Sequence, residues 1–265
     1  MHARTGLPAL VGSLAPAGPA VVFFTVPDDA VAAVATRLAA SGERIPARVA
    51  FVHTSGALEL GALAPLRRRH AVGSFHPLRS FPEPGPADAF RGIVIGVDAS
   101  SESLRRLLNR LARDLGATPK RVDDAQRAVY HAAAVFASNY VVTLLAEAVR
   151  LLEQAGWTER EAVQGLVSLA EGAVANVRRR GPIAALTGPI RRGDAATIGR
   201  HLRALAELDA GIARSQRGRQ SDLYRMLGGV ALEIAELAGL KPAAAEQTRR
   251  ALTRKVAATR RRSRQ

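Results

Sequence analysis

Short apolar runs alternate with longer helical stretches from residue 20 to residue 123, and beyond that point the runs stop. No other feature constrains the fold as tightly. Strands separated by helices bury their apolar faces only as βαβ units around a mainly parallel sheet. Strands are predicted over 20–26 (AVVFFTV), 48–53 (RVAFVH), 71–75 (AVGSF), 92–98 (GIVIGVD) and, briefly, 120–122. They are short, rich in β-branched residues and apolar throughout, as buried parallel strands are. Helices are predicted between them over 30–40, 58–69 and 101–115, with Asp28 or Asp29 placed to cap the first. A Pro-rich loop follows from His76 to Pro86.

After Asp123 the pattern turns helical. Residues 124–155 read as one long Ala-rich helix that Gly156 ends. Thr158 and Glu161 form a capping box for a helix over 159–178. Further helices are expected at 194–213, 221–238 and 242–258, the first of them capped by Asp194. Residues 179–193 hold Gly181, Pro182, Gly188, Pro189 and Gly193 and read as a structured loop. The chain therefore divides into an irregular stretch (1–19), a sheet domain (20–123), a helical domain (124–240) and a terminal helix with a basic tail (241–265).

Composition removes several classes of function. Aromatic residues are 4% of a chain that is 48% hydrophobic, so the core must be built from Ala, Leu, Val and Ile. Cysteine is absent, which excludes a disulfide framework, a thiol nucleophile and a cysteine–zinc site. A reducing cytoplasm is the simplest home for such a chain. No two of the six histidines have the local spacing of metal ligands, so no metal is expected. The N-terminus lacks the pattern of a secretory signal, and the apolar run at 20–26 is too short to cross a membrane. The net charge of +15 raises the question of nucleic acid, but about half of the excess sits in residues 249–265. The rest is spread thinly, which favours solvated helix ends over a nucleic-acid surface.

Parallel sheets bind ligands at the carboxyl ends of their strands. Here those ends carry Val26, Pro27 and Asp28; then His53, Thr54, Ser55 and Gly56; then His76. Gly56 allows close approach of a backbone to a ligand, and Thr54 and Ser55 are able to donate to phosphate. Ordinary turn chemistry also accounts for any one of these clusters. His76, at a strand end before Pro77, is placed to polarise or protonate a substrate oxygen, or simply to bind a loop carbonyl. On the long helix, His131, Val135, Ser138 and Asn139 stand at i, i+4, i+7 and i+8, a polar stripe on an Ala-rich face. Either they satisfy nearby backbone groups or they line a site bordering the interdomain cleft. Near 186–194 (LTGPIRRGD), Thr187 and Arg192 exceed what capping by Asp194 requires; Arg192 suits a carboxylate or phosphate.

Together these motifs resemble a known family. The carrying residues are 25–29 (TVPDD), 53–57 (HTSGA), 74–78 (SFHPL) with Ser80 and Phe81, 130–140 (YHAAAVFASNY) and 186–194. They are similar to bacterial proteins that join a Rossmann-like NAD(P)-binding domain to a helical domain of unknown function. That helical domain is similar to the C-terminal domain of the 6-phosphogluconate dehydrogenase superfamily. The resemblance implies a fold of class α/β plus all-α: a truncated Rossmann-like parallel sheet followed by a helical 6-phosphogluconate dehydrogenase C-terminal-like domain. It also implies a homodimer and a cofactor, NADP or NAD. Relatives use a Lys, often with an Asn one turn later, on the interdomain helix. Here His131 takes that place and Asn139 lies two turns on, so His131 or His76 is nominated for proton transfer.

A complete relative opens with a strand, a Gly-rich turn, a helix and a second strand, and such a unit takes roughly 30 residues. Only 19 residues precede residue 20, and no G-x-G-x-x-G occurs. A start upstream of Met1, a degraded gene and a lost cofactor site each explain this; an upstream start is the simplest. The resulting expectation is an NAD(P)-dependent oxidoreductase acting on a small oxo or hydroxy acid, such as a ketopantoate-like 2-oxo acid. Catalysis falls to His131, His76 and Asn139. Val26, Pro27, Asp28, His53, Thr54, Ser55 and Gly56 hold the cofactor, and Ser138, Thr187 and Arg192 hold the substrate. Two rival readings are a non-catalytic dimeric scaffold and a polyanion binder acting through the Arg-rich tail.

Overall fold

The computed structural model describes residues 20–42, 44–81, 85–210 and 219–254. The expectations for residues 1–19, for helix ends at 213 and 258 and for the tail beyond 254 lie outside the described residues. The chain divides into two compact units, Met1–Val142 and Thr143–Gln265.

The first unit holds a five-stranded sheet in simple order: β1 (Ala20–Phe24), β2 (Val49–His53), β3 (Val72–Pro77), β4 (Val94–Ala99) and β5 (Thr118–Arg121). Helix α1 (Asp28–Ala40) connects β1 to β2. A 3₁₀ turn (Leu60–Leu63) running into the short α2 (Ala64–Arg67) connects β2 to β3, and α3 (Glu102–Asp114) connects β4 to β5. Each of these crossovers joins parallel neighbours, as the sequence pattern requires. Between β3 and β4 there is only a loop with a 3₁₀ turn (Ala87–Phe90), and this pair is antiparallel. A return without a crossover can only reverse the strand, so the mainly parallel sheet contains one antiparallel pairing. β1 stands at the end of the strand order.

Alternation along the strands sends apolar side chains to both faces. Phe24, Val49, Phe51 and Val72 pack with Val31, Ala35 and Leu38 of α1 and with Leu63 and Leu66. Ala50, Val52, Phe75, Ile95 and Val97 pack on the opposite face with Leu104, Leu108 and Ala112 of α3. Ser101 caps α3 by accepting the Leu104 N–H at 3.3 Å. Helix α4 (Asp124–Ala137) closes the first unit. Asp123 caps it, its carboxylate accepting the Gln126 N–H at 3.2 Å.

The long helix expected over 124–155 is two helices. α4 ends at Ala137 and α5 runs over Asn139–Gln154, because Ser138 leaves the helical region at φ −124° and ψ −76°. In the second unit α6 (Glu159–Ala185) carries the expected capping box at Thr158 and Glu161. α6 continues through residues read as loop. Gly181, at φ 75°, breaks the helical ladder there, and Pro182 can then begin a fresh turn without losing a bond. α7 (Gly188–Arg192), α8 (Ala195–Ala210), α9 (Arg219–Leu237) and α10 (Pro242–Thr253) follow. Asp194 caps α8 as expected, accepting the N–H and hydroxyl of Thr197. Buried Asp209 accepts the Gln220 and Ser221 N–H groups at the start of α9. Ile198, Leu202, Leu232, Ala245 and Leu252 form the core of this unit.

Leu108 is fully buried on the α3 face of the sheet. Leu108→Ala should lower unfolding stability by about 2–5 kcal/mol, measured by urea titration. A change too small to measure would mean that this face is not packed as described.

Candidate active site

Three chain segments meet where β1, β2 and β3 end. β1 ends in Phe24, and the exposed residues Thr25, Val26, Pro27 and Asp28 follow. Asp28 or Asp29 is expected as a cap for α1, but both lie within its first turn, and Pro27 occupies the capping position without a side-chain bond. The Asp28 carboxylate instead accepts the Ser55 hydroxyl at 2.6 Å. Ser55 Oγ in turn accepts the N–H groups of Ala57 and Leu58, at 3.1 and 3.0 Å. Thr54 donates its hydroxyl to the Phe24 carbonyl at 3.3 Å. Both hydroxyls expected to face a phosphate are thus spent on joining the β1 and β2 turns.

Over these ends lies α4. Arg127, Tyr130 and His131 stand at i, i+3 and i+4 and share one face of the helix. Arg127 is 1% exposed, the largest fully buried side chain among the described residues. Its Nη2 donates to Ser74 Oγ at 2.8 Å and to the Val122 carbonyl at 3.0 Å, and its Nε lies 3.6 Å from Asp124. Asp124 also accepts the Leu60 N–H at 3.0 Å. One helical turn on, the Tyr130 hydroxyl meets His76 Nδ1 at 2.8 Å, with the rings edge to face at 87°. The rings of His76 and His131 are 6.4 Å apart.

Gly56 is where these rings converge. A Cβ at this position would stand 2.7 Å from His76 Cε1 and Nε2 and 2.8 Å from His131 Nδ1. Only glycine leaves room for both imidazoles. His131 Nδ1 is buried without a hydrogen-bond partner, and so are both ring nitrogens of His53. The Glu59 carbonyl favours the charged form of His53 without completing a hydrogen bond.

Burial above all keeps His53 and His76 neutral. Burial, and then the Arg127 charge, lower His53 to about 4 against the opposing pull of Asp28 and Asp124. Burial, His131 and Arg127 likewise lower His76 to about 4. Burial pushes the Tyr130 phenol up. At neutral pH His53 and His76 are therefore uncharged donors and acceptors, with the Arg127 charge beneath them.

The structure brings Asp28, His53, Ser55, Gly56, His76 and His131 together in the first unit. Ser138 sits at the α4–α5 break, so i+7 and i+8 spacing no longer carries it and Asn139 onto the His131 face as one helix would. Thr187 and Arg192 belong to the second unit, where both are exposed at either end of α7. Sequence reasoning missed Arg127 and gave no role to Tyr130. Their signal was available, because the polar spacing on α4 extends one turn back from His131.

A profile described as a domain of unknown function (DUF2520) matches residues 93–231, more than half of the 265 residues. The chain belongs to the DUF2520 family. No curated protein matches it. A Bacteroides fragilis protein named as a candidate NADP oxidoreductase is similar in structure, with 25% identity and a TM-score of 0.63. The similarity covers 82% of this chain and 77% of that one. A Thermotoga maritima protein is similar at 26% identity and a TM-score of 0.66, over 85% and 81% of the two chains. An NADH-preferring ketol-acid reductoisomerase from an uncultured archaeon shares the fold at 14% identity and a TM-score of 0.50. It is covered over 63% of its length, against 86% of this chain. The DUF2520 chain thus has a Rossmann-like sheet followed by a helical C-terminal domain, the class its motifs imply.

The neutral histidines make stability depend on pH with a definite sign. Unfolded, both imidazoles take up protons near the ordinary 6.5; folded, they do so only near 4. Between those values the unfolded chain binds more protons, so stability should fall on acidification. The slope is up to about 1.4 kcal/mol per pH unit for each imidazole. Asp98 opposes this at the acid end, because burial raises its carboxyl and protonation relieves it. Urea midpoints measured from pH 7 to pH 4 should decline; flat midpoints would show that these histidines titrate normally in the folded chain.

Proposed function

We propose that the chain is an NAD(P)-linked oxidoreductase acting on a small oxo or hydroxy acid. One observation carries this reading: two imidazoles on different elements converge on one glycine at the carboxyl ends of parallel strands, where such sheets bind ligands. The coarse class also has support from the DUF2520 chain's likeness to a candidate NADP oxidoreductase.

The residues that would hold the cofactor are the exposed Val26 and Pro27 and the turn from His53 to Gly56, through its backbone, since the Thr54 and Ser55 hydroxyls are already engaged. When bound, a nicotinamide dinucleotide supplies or accepts the hydride. This chain's part is to hold the reacting oxygen and to manage one proton, which falls to His131 or His76. Neutral imidazoles suit that task, since each offers both a donor and an acceptor nitrogen.

The assembly proposed is a homodimer. Tyr140 and Val142 of α5 and Val163, Val167, Val174 and Val177 of α6 are large apolar side chains exposed on the single chain. Exposed apolar area of this kind marks an interaction surface. An 18-residue window within Asp124–Gln154 is also apolar enough for a membrane span by composition, at a mean hydropathy of 1.6. However, its helix breaks at Ser138, and its Glu147 is buried in ion pairs with Arg150 and Arg219.

NADPH or NADH at a hundredfold excess over its Kd should stabilise the chain by about 2.7 kcal/mol, read as a raised Tm. Absence of any shift with either nucleotide up to millimolar concentration would overturn the cofactor assignment.

A further inference from the structure

The two converging imidazoles differ in what holds them. The Tyr130 hydroxyl is backed against β4, where a Cβ on Gly96 would stand 3.0 Å from it. Its hydrogen-bond partner among the described residues is His76 Nδ1. A phenol carries its own proton and needs an acceptor, and burial pushes the Tyr130 phenol further towards that protonated form. The bond is satisfied when the hydroxyl donates and Nδ1 accepts. The His76 proton then resides on Nε2, the nitrogen that faces Gly56. His131 Nδ1 faces the same point, buried and without a partner. The other charged groups acting on His76 are Arg127 beneath it and Asp28 on the β1 turn.

We propose that His76 and His131 form a donor–acceptor pair for the substrate's reacting oxygen, with Tyr130 as the positioning residue that fixes the His76 tautomer. His76 Nε2–H donates to the oxygen in both its carbonyl and hydroxyl states. His131 Nδ1 accepts the hydroxyl hydrogen bond. As the carbonyl forms, the O–H bond breaks and its proton passes to His131 Nδ1, while the hydride from carbon is the share of the dinucleotide proposed above. In reduction His131 returns that proton to the oxygen. His76 stays neutral throughout, which fits its low proton affinity. This assignment rests on the oxidoreductase reading for its chemistry, but the tautomer it requires is a property of the chain alone.

The test is long-range ¹H–¹⁵N correlation of the imidazoles in the full chain at pH 7. His76 should show a bare Nδ1 and a protonated Nε2. Tyr130→Phe should leave the fold intact and give His76 a mixture of tautomers. Gly56→Ala should move the His76 and His131 signals together, because its Cβ meets both rings. With NADP present, 2-hydroxy and 2-oxo acids from lactate and pyruvate to ketopantoate should include one that shifts both rings. An Nδ1–H tautomer in the wild type, or an unchanged tautomer in Tyr130→Phe, overturns the positioning role. Nucleotide binding without a response to any acid overturns the oxygen site alone. Absence of nucleotide binding counts against the oxidoreductase reading and leaves the tautomer result to stand or fall separately.

Discussion

The buried guanidinium of Arg127 is the interaction on which the rest of the first unit depends. Removing an ion from water costs several kcal/mol unless its hydrogens find partners. Here Nη2 is bonded to Ser74 on β3 and to the carbonyl of Val122 just after β5, and Asp124, one turn earlier on the same helix, offsets the charge from 3.6 Å, although Nε itself makes no hydrogen bond. Those partners lie on separate elements, so satisfying the charge fixes α4 against the sheet. Asp124 extends the tie to the 3₁₀ turn through Leu60. Once α4 is held this way, Tyr130 and His131 have little choice of position.

The same charge sets the chemistry above it. A cation beneath a set of imidazoles disfavours a second positive charge there, and burial acts in the same direction for His53 and His76. His53 and His76 are therefore poor at holding a proton and well suited to neutral hydrogen bonding. That explains how His53 and His76 can stand at the ends of neighbouring strands without repelling one another. It also explains the glycine, since any side chain at position 56 would enter the space where two rings meet.

Much of this was legible in the sequence. The βαβ alternation placed the strands to within a few residues, and Thr158 and Asp194 cap their helices as their spacing requires. His53, Ser55, Gly56, His76 and His131 were all visible as strand-end or helix-face residues. What escaped has physical causes. The antiparallel β3–β4 pair depends on the absence of a crossover, which a Pro-rich loop does not announce by composition. The break at Ser138 carries no Gly or Pro, so an Ala-rich pattern reads straight through it. Residues 179–193 looked like loop because Gly and Pro punctuate them, yet a single left-handed glycine lets the helix restart. Arg127 went unnoticed because a charged residue on a helix is ordinarily solvated, and only the fold shows this one at 1% exposure.

The central claim is that burial, reinforced by a buried cation, keeps the strand-end histidines neutral, and the proton affinity of His53 tests it most directly. His53 is fully buried, and its charge balance is dominated by burial and Arg127. An NMR titration of the folded wild type should leave His53 neutral until about pH 4, and Arg127→Met should raise that midpoint. A wild-type His53 that takes up its proton near the ordinary 6.5 would contradict the account.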